Sequence, residues 1–479
     1  MEEKNINEEE GLDSNSTPEL IQINDNARNT IYICLILVSA FSSCDGGVIP
    51  QQTEKIKENF GGGDSRVGLF GSIDYIGRVI GALILAVIMG KMNRKMLLVS
   101  SLVFKAITLM IALITDNFYV NTIARAASGL SQVFYTTYLP VWCDQYGKKD
   151  KKAIMVTLVQ LGNPIGIIVG YGLGLFIQSF SSDDKNYWEW RIAFGIEGIL
   201  LILTAFVIFS FQPKYFSNNF ILVNDNQGKE ENDDKQKNTN IFSNFGKILC
   251  NKLFLFTTLS NSVAFFGMSV IQYWGDKYMD KILKMETTPR FIAFGSLCLL
   301  GPIVGMVFGG IICSKLGGYG KKKSMVFIIL LTLFSSIISS LIAISNPFFF
   351  VGTAWSFLFF ICATIPPESG IIISSLDNNL RGDGFALSNS ILNLFGSFPA
   401  SYVFSLLSDI FEDIISEEKK KNYEQYRYAW MVSMGYNFVG LLFIIIAGIF
   451  RFKIEGDLSS DESEEKEKSD SQEVTAINQ

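Results

Sequence analysis

The chain has 479 residues, 49% hydrophobic and 18% charged, with 40 Phe and a mean hydropathy of +0.30. A soluble protein of that size is not so apolar, so lipid is its main solvent. The net charge of −6 masks two acidic tails around a basic body: residues 1–27 hold 8 acids and 1 Lys, residues 455–479 hold 9 acids and 2 Lys, and 29 acids face 37 bases in between.

Histidine is absent. That removes the commonest metal ligand and the usual near-neutral proton carrier, so any proton coupling must run on carboxylates. The seven cysteines lack paired spacing, and Cys34, Cys44, Cys298, Cys313 and Cys362 lie in apolar runs. They read as small buried hydrophobes rather than a disulfide frame. No metal, cofactor or nucleic-acid partner is expected, and no nucleophile and base constellation points to an enzyme.

Residues 1–29 form an acidic tail without a basic n-region, so the first apolar helix is expected to insert and stay. Twelve runs of roughly 20 mainly apolar residues follow, each long enough to cross a bilayer. They are 30–50, 66–90, 96–115, 118–142, 153–178, 191–211, 252–275, 291–314, 324–344, 347–376, 384–407 and 427–450. Spans 2, 10 and 11 read as the weakest, because they carry charges, prolines or small polar residues. The polar interruption at 212–251 divides the spans into halves at 30–211 and 252–450, the layout of an internal repeat. The expected fold is an all-α membrane protein of twelve transmembrane helices in two six-helix halves.

Lys91, Arg94 and Lys95 follow span 2, Lys148, Lys149, Lys151 and Lys152 follow span 4, and Lys315, Lys321, Lys322 and Lys323 follow span 8. The positive-inside tendency makes that side cytoplasmic, with both termini and the central linker on it. The loops after spans 1, 7 and 11 mix bases with acids, so the rule is met in aggregate only. The plasma membrane and an organelle membrane fit equally. The tail at 451–479, with Ser459-Ser460-Asp461-Glu462-Ser463, is too polar to fold. It is a solubilising tail or a target for a kinase that modifies serines beside acids.

Charges inside apolar helices face a bundle interior or a water-filled cavity, so each is a candidate for substrate binding or coupling. Asp45 lies near the end of span 1 beside Gly46-Gly47 and five residues before Pro50, where unwinding brings backbone groups to a ligand. A helix-end cap is the plainer role. Asp74 and Arg78 share one helix face and either neutralise each other or gate. Lys105, central in span 3, faces a cavity or a carboxylate, with Asp74 as a candidate partner. Arg125 in span 4 suits a carboxylate or phosphate in fork geometry, or a structural bond to span 1. Glu197 in span 6 and Glu368 in span 10 are further buried acids. Because Glu368 follows Pro366-Pro367, span 10 is expected to kink or break beside it. Gln272 and Trp274 in span 7, and Asn389 and Asn393 in span 11, are polar positions that bind substrate or join helices. Gly162-Asn163-Pro164 in span 5 and Gly301-Pro302 in span 8 mark sliding or tightly packed interfaces.

These residues carry a resemblance to the major facilitator superfamily over roughly 30–450, and within it to the spinster-like branch. Gly81-Ala82 through Gly90-Lys91-Met92-Asn93-Arg94-Lys95 resembles the superfamily's loop motif, Arg125 with Gly129 its span 4 motif, and Gly162 with Pro164 its antiporter-type motif. Trp190-Arg191 with Phe194 is similar to its start of span 6. The stretch from Arg381 to Asp409, and Tyr135-Thr136-Thr137-Tyr138-Leu139-Pro140, are similar to spinster spans 11 and 4. The resemblance implies alternating access and export of amphiphiles such as lysophospholipids or sphingoid phosphates, with proton coupling as a further implication. Asp45 matches the branch's span 1 acid and Arg125 its span 4 arginine. The candidates for a conformational gate are Lys91, Arg94 and Lys95 of the loop motif with Gly162 and Pro164; Gly90 replaces the loop-motif acid, which weakens that gate, and Gln132 replaces a Glu, which removes one proton carrier. The expected substrate is a small solute or lipid. The alternatives are a sugar, amino acid or organic anion carrier, and a transport-dead receptor or scaffold.

Overall fold

The computed structural model describes residues 25–88, 92–147, 152–180, 188–216, 241–319, 321–342, 346–377 and 380–453, and every regular element among them is helical. The loop-motif Lys91, with Lys148, Lys149 and Lys151 and most of the acidic tails, lies outside these residues. The first half comprises α1 (Asp25–Phe41), α2 (Asp45–Gln51), α3 (Thr53–Phe60), α4 (Asp64–Ile88), α5 (Arg94–Met110), α6 (Phe118–Tyr146), α7 (Lys152–Ser179) and α8 (Trp188–Ser210). Then come α9 (Ile241–Cys250), α10 (Lys252–Lys281), α11 (Thr287–Lys315), α12 (Lys322–Ser339) and α13 (Pro347–Ser374). The chain finishes with α14 (Arg381–Leu392), α15 (Phe398–Ile414), α16 (Glu417–Lys421), α17 (Glu424–Gly435) and a last helix at 437–453.

Eleven helical runs among the described residues are long and apolar enough to span a bilayer. The twelfth is α6: its 29 residues reach about 43 Å, more than the roughly 30 Å hydrocarbon core. Arg125, Ser128, Ser131 and Gln132 depress its hydropathy and are all buried in the bundle. The weakest span is therefore the fourth, and not the second, tenth or eleventh. Asparagines start four of the spans: the side chains of Asn93, Asn117, Asn251 and Asn346 accept the orphan amides of the first turn.

Packing repeats between the halves. In the first, α1 and α2 lie on α7, α4 on α6, and α5 on α8; in the second, α10 lies on α14–α15, α11 on α13, and α12 on α17. Spans 1–5, 2–4 and 3–6 thus match 7–11, 8–10 and 9–12. The halves meet where α4 packs on α15, α2 on α10 and α7 on α11. Within the first half, Gly47 and Gly170 allow spans 1 and 5 to approach closely, since a Cβ on either would strike the partner backbone at Ile167 or Cys44.

Three expectations change. Span 1 does break, as a turn over Ser42, Ser43 and Cys44, ahead of the paired glycines rather than at them. Span 10 runs as helix through Pro366 and Pro367. It is held against α11, where Gly309 abuts the Ala363 carbonyl. The irregular turn of the second half falls instead in span 11, as a π-helical segment at Asn393–Ser397. Lastly, α9 lies inside the segment read as linker. Its Phe245 and Ile248 pack on Phe254, Ile372 and Leu376, and Asn244 Nδ2 donates to Asp383 at 2.9 Å.

Candidate functional site

A cavity of about 210 Å³ lies between the halves at mid-bundle. The first half contributes Asp45, Asp74, Arg78, Arg125, Gln132 and Asn163, and the second contributes Gln272, Tyr273, Asn393, Phe265 and Met268. Ser43 and Asn163 also line an adjoining cavity of about 200 Å³ with Ser42, Tyr135, Thr136 and Gln160. Spans 4 and 5 carry these residues toward the end of the bundle where α1 begins and the last described helix stops, so the adjoining cavity lies on that side of the central one.

The first-half wall is the front of a charge network that Lys105 and Glu197 continue behind it. An Arg125 Nη1 donates to Asp45 Oδ2, and Nη2 lies 3.9 Å from Asp74. Arg78 Nη2 donates to Asp74 Oδ2 at 2.8 Å. Lys105 Nζ lies 3.6 Å from Asp45 and 3.8 Å from Glu197, and donates to the Ser42 carbonyl at 2.6 Å and to Gln132 Oε1 at 3.3 Å. The break in span 1 exposes that Ser42 carbonyl, and thereby places the α1–α2 junction on Lys105. Three cations thus balance three acids, which answers the cost of burying each. The partner of Lys105 is Asp45 with Glu197 rather than Asp74. Arg125 and Lys105 are already committed to carboxylates, so they do not form a free cationic pair. Arg78 is the more accessible cation, with 23% of its side chain exposed against 5% for Arg125 and none for Lys105.

The other candidates divide. Gln272 and Asn393 line the cavity, while Asn389 is exposed and its carbonyl accepts from Asn393 Nδ2 at 2.9 Å. Tyr135 lines the adjoining cavity. Trp274 faces neither cavity: fully buried, it donates to the Ser401 carbonyl at 3.1 Å and stacks on Phe404. Glu368 is buried in the second half and accepts from Ser260 Oγ at 3.0 Å. Of the gate candidates, Lys95 donates to the Phe209 carbonyl at 2.7 Å and so caps the end of α8, while Arg94 is half-buried beside it. Gly162 abuts Ser39 of α1, and Pro164 sits inside α7.

At the opposite end of the bundle, beside the starts of α4 and α11, stands a second network, which motif reading misses. Asp64, fully buried at the start of α4, meets Lys277 and Lys57 at 2.9 Å each and accepts from Tyr426 at 2.7 Å. Asp409 of α15 accepts the backbone amides of Asp64 and Ser65 at 2.8 and 2.9 Å, a cap supplied from the other half. Lys277 also meets Glu54 at 2.9 Å, Tyr171 donates to Asp276, and Arg290 Nε lies 3.2 Å from Asp276. Tyr171 stacks on Phe294 at 4.4 Å. The hydrogen bonds that cross between the halves gather at this end, which latches it shut. The signal for it is present in the sequence: these are the acids mixed among the bases after spans 1, 7 and 11.

A cavity between two repeated six-helix halves, latched at one end, is the design of an alternating-access membrane transporter. The Major Facilitator Superfamily family model matches residues 31–401, and the chain belongs to that superfamily. Within it the chain resembles spinster proteins. It is 23% identical over 313 residues to protein spinster homolog 1 of Xenopus tropicalis, covering 64% of this chain and 56% of that protein. It is 20% identical over 421 residues to the sphingosine-1-phosphate transporter SPNS2 of Danio rerio, covering 82% and 79%. The matched region thus spans little more than half the length of the first relative.

Solved structures share the fold. A bacterial homolog to the human lysosomal transporter spinster, in an inward-facing and unoccupied conformation, superposes with a TM-score of 0.72 at 13% identity, over 90% of this chain and 99% of that one. A D-xylose-proton symporter superposes with 0.63 at 14% identity, over 89% and 97%.

Proposed function

We propose that this protein carries an anionic amphiphile, of the lysophospholipid or sphingoid phosphate class, by alternating access, with the phosphate met by Arg78. The observation that carries the reading is the accessibility of Arg78 on the cavity wall, opposite Phe265 and Met268. A guanidinium can exchange Asp74 for a phosphate in fork geometry, while an apolar wall receives the start of an acyl chain. The sphingosine-1-phosphate transporter among its relatives supports that class. With the termini on the cytoplasmic side, the latched end is the outer gate and the cavity continues inward.

Proton coupling is assigned to Asp45 and Glu197. Neither oxygen of Glu197 accepts a hydrogen bond, and Lys105 stands between the two carboxylates. Protonation of one releases the ammonium to the other. The second reading, a polar metabolite carrier, is favoured by the modest cavity of about 210 Å³ and its Gln132, Asn163, Gln272 and Asn393 lining.

Flux into proteoliposomes separates these readings, using a labelled lysophospholipid against a panel of sugars, amino acids and organic acids. Lysophospholipid flux is expected, with Arg78→Gln raising KM about ten-fold, equivalent to about 1.4 kcal/mol. Flux of a polar solute alone overturns the amphiphile assignment. Absence of all flux favours a receptor or scaffold.

A further inference from the structure

The six spans of the second half hold one buried carboxylate at their centre, and its surroundings differ from those of the first-half acids. Glu368 is 1% exposed, and among the described residues no Lys or Arg pairs with it. Ser260 Oγ donates to Oε1 at 3.0 Å, and Oε2 has no partner. An isolated carboxylate at this depth is costly unless something neutralises it.

The helix register says what stands beside it. Spans 7 and 10 run antiparallel, and Leu253 shares a packing cluster with Ile371, as Phe254 does with Ile372. One turn further into the bundle, Thr257 and Thr258 come level with Glu368, while Thr257, Ser260 and Asn261 share one face of α10. Thr257 and Thr258 are fully buried and Asn261 is 3% exposed. Thr257 Oγ1, Thr258 Oγ1 and Asn261 Oδ1 are, like Glu368 Oε2, without hydrogen-bond partners. Four unpaired buried oxygens on two packed helices, at about the same depth, are far from the usual satisfaction of such groups.

We propose that Glu368, Ser260, Asn261 and the two threonines hold a small monovalent cation of the sodium type. The donor set is all oxygen and carries a single negative charge, which suits a hard cation of charge one. Among the described residues no group of three or more Cys, Asp or Glu exists to hold a divalent or transition metal. A proton would neutralise Glu368 and let it donate to only one of the other oxygens; a cation of this kind engages them together. The site is separate from the central cavity and from the Asp45 network, and it stands whichever substrate the cavity takes.

Binding is read without transport, so its failure is distinct from failure of the carrier reading. Purified full-length protein is compared in sodium chloride and choline chloride at fixed pH and ionic strength, by thermal unfolding and by binding of radioactive sodium. Saturable sodium binding and a sodium-dependent rise in Tm are expected, both lost in Glu368→Gln that still elutes as a folded species. Asn261→Ala is expected to weaken sodium several-fold. Absence of any sodium effect in the unmodified protein overturns the proposal, as does its persistence in Glu368→Gln. If sodium is inert and Glu368→Gln abolishes only a pH dependence of Tm, the group carries a proton and the sodium site is wrong.

Discussion

Lys105 stands between two carboxylates, 3.6 Å from Asp45 and 3.8 Å from Glu197, and this makes the two acids unequal in their support. Asp45 is also held by Arg125, whereas Glu197 has only the ammonium. Loss of charge at Glu197 is therefore the less costly event. Glu197→Gln is expected to abolish stimulation of flux by a pH gradient while leaving exchange without a gradient within about two-fold. Unchanged stimulation would place the coupling elsewhere. The charged residues themselves were legible in the sequence, because a Lys or Glu inside an apolar helix stands out. Their pairing was not. Along the sequence Asp74 is the candidate partner of Lys105, whereas the break at Ser42–Cys44, which brings Asp45 and the Ser42 carbonyl onto Lys105, belongs to the packing of span 1 on span 5.

Helices are where the sequence spoke most clearly, since each span is a continuous apolar run whose length is set by the bilayer. What it obscured were local departures from that rule. Pro366 and Pro367 advertise a break that packing on α11 removes, while Asn393–Ser397 adopts π geometry without a proline to announce it. Amphipathic α9 hid inside polar sequence for the opposite reason, its apolar face being only a few residues wide. The glycine spacing, by contrast, reads through to contact. Gly47→Val would drive its side chain into the backbone at Ile167, and overpacking of this kind costs about 1–3 kcal/mol. A lowered Tm and poor recovery from detergent are expected, whereas Gly295→Ala, with no neighbour within 4 Å, should leave Tm unchanged or raise it slightly. Equal tolerance of both would contradict the close approach of spans 1 and 5.

Across the whole molecule, the two halves share a pattern of helix pairs but not of chemistry. The first half buries Asp45, Asp74 and Glu197 against Lys105 and Arg125, with Arg78 half-buried at the edge; the second buries serines, threonines and asparagines around Glu368. The six and six division was legible from the polar stretch at 212–251, and the side on which bases accumulate from the short loops. The latch showed only as acids mixed among the bases after spans 1, 7 and 11, because Asp64, Lys277, Asp409 and Tyr426 come from separate loops and helix ends and become one cluster only in the folded bundle. Removing one partner of a buried ion pair is costly, of the order of 3–5 kcal/mol. Asp64→Asn is therefore expected to shift the population toward an open distal end.

The central claim is that the latched end opens while the cavity's other end closes. Pulsed electron paramagnetic resonance between spin labels at Ser179→Cys and Glu286→Cys, which flank the latch on spans 5 and 8 in a background without native cysteines, tests it directly. The account predicts a short distance in the unmodified latch, with a longer population appearing on addition of lysophospholipid or with Asp64→Asn. A single short distance under every condition would contradict it.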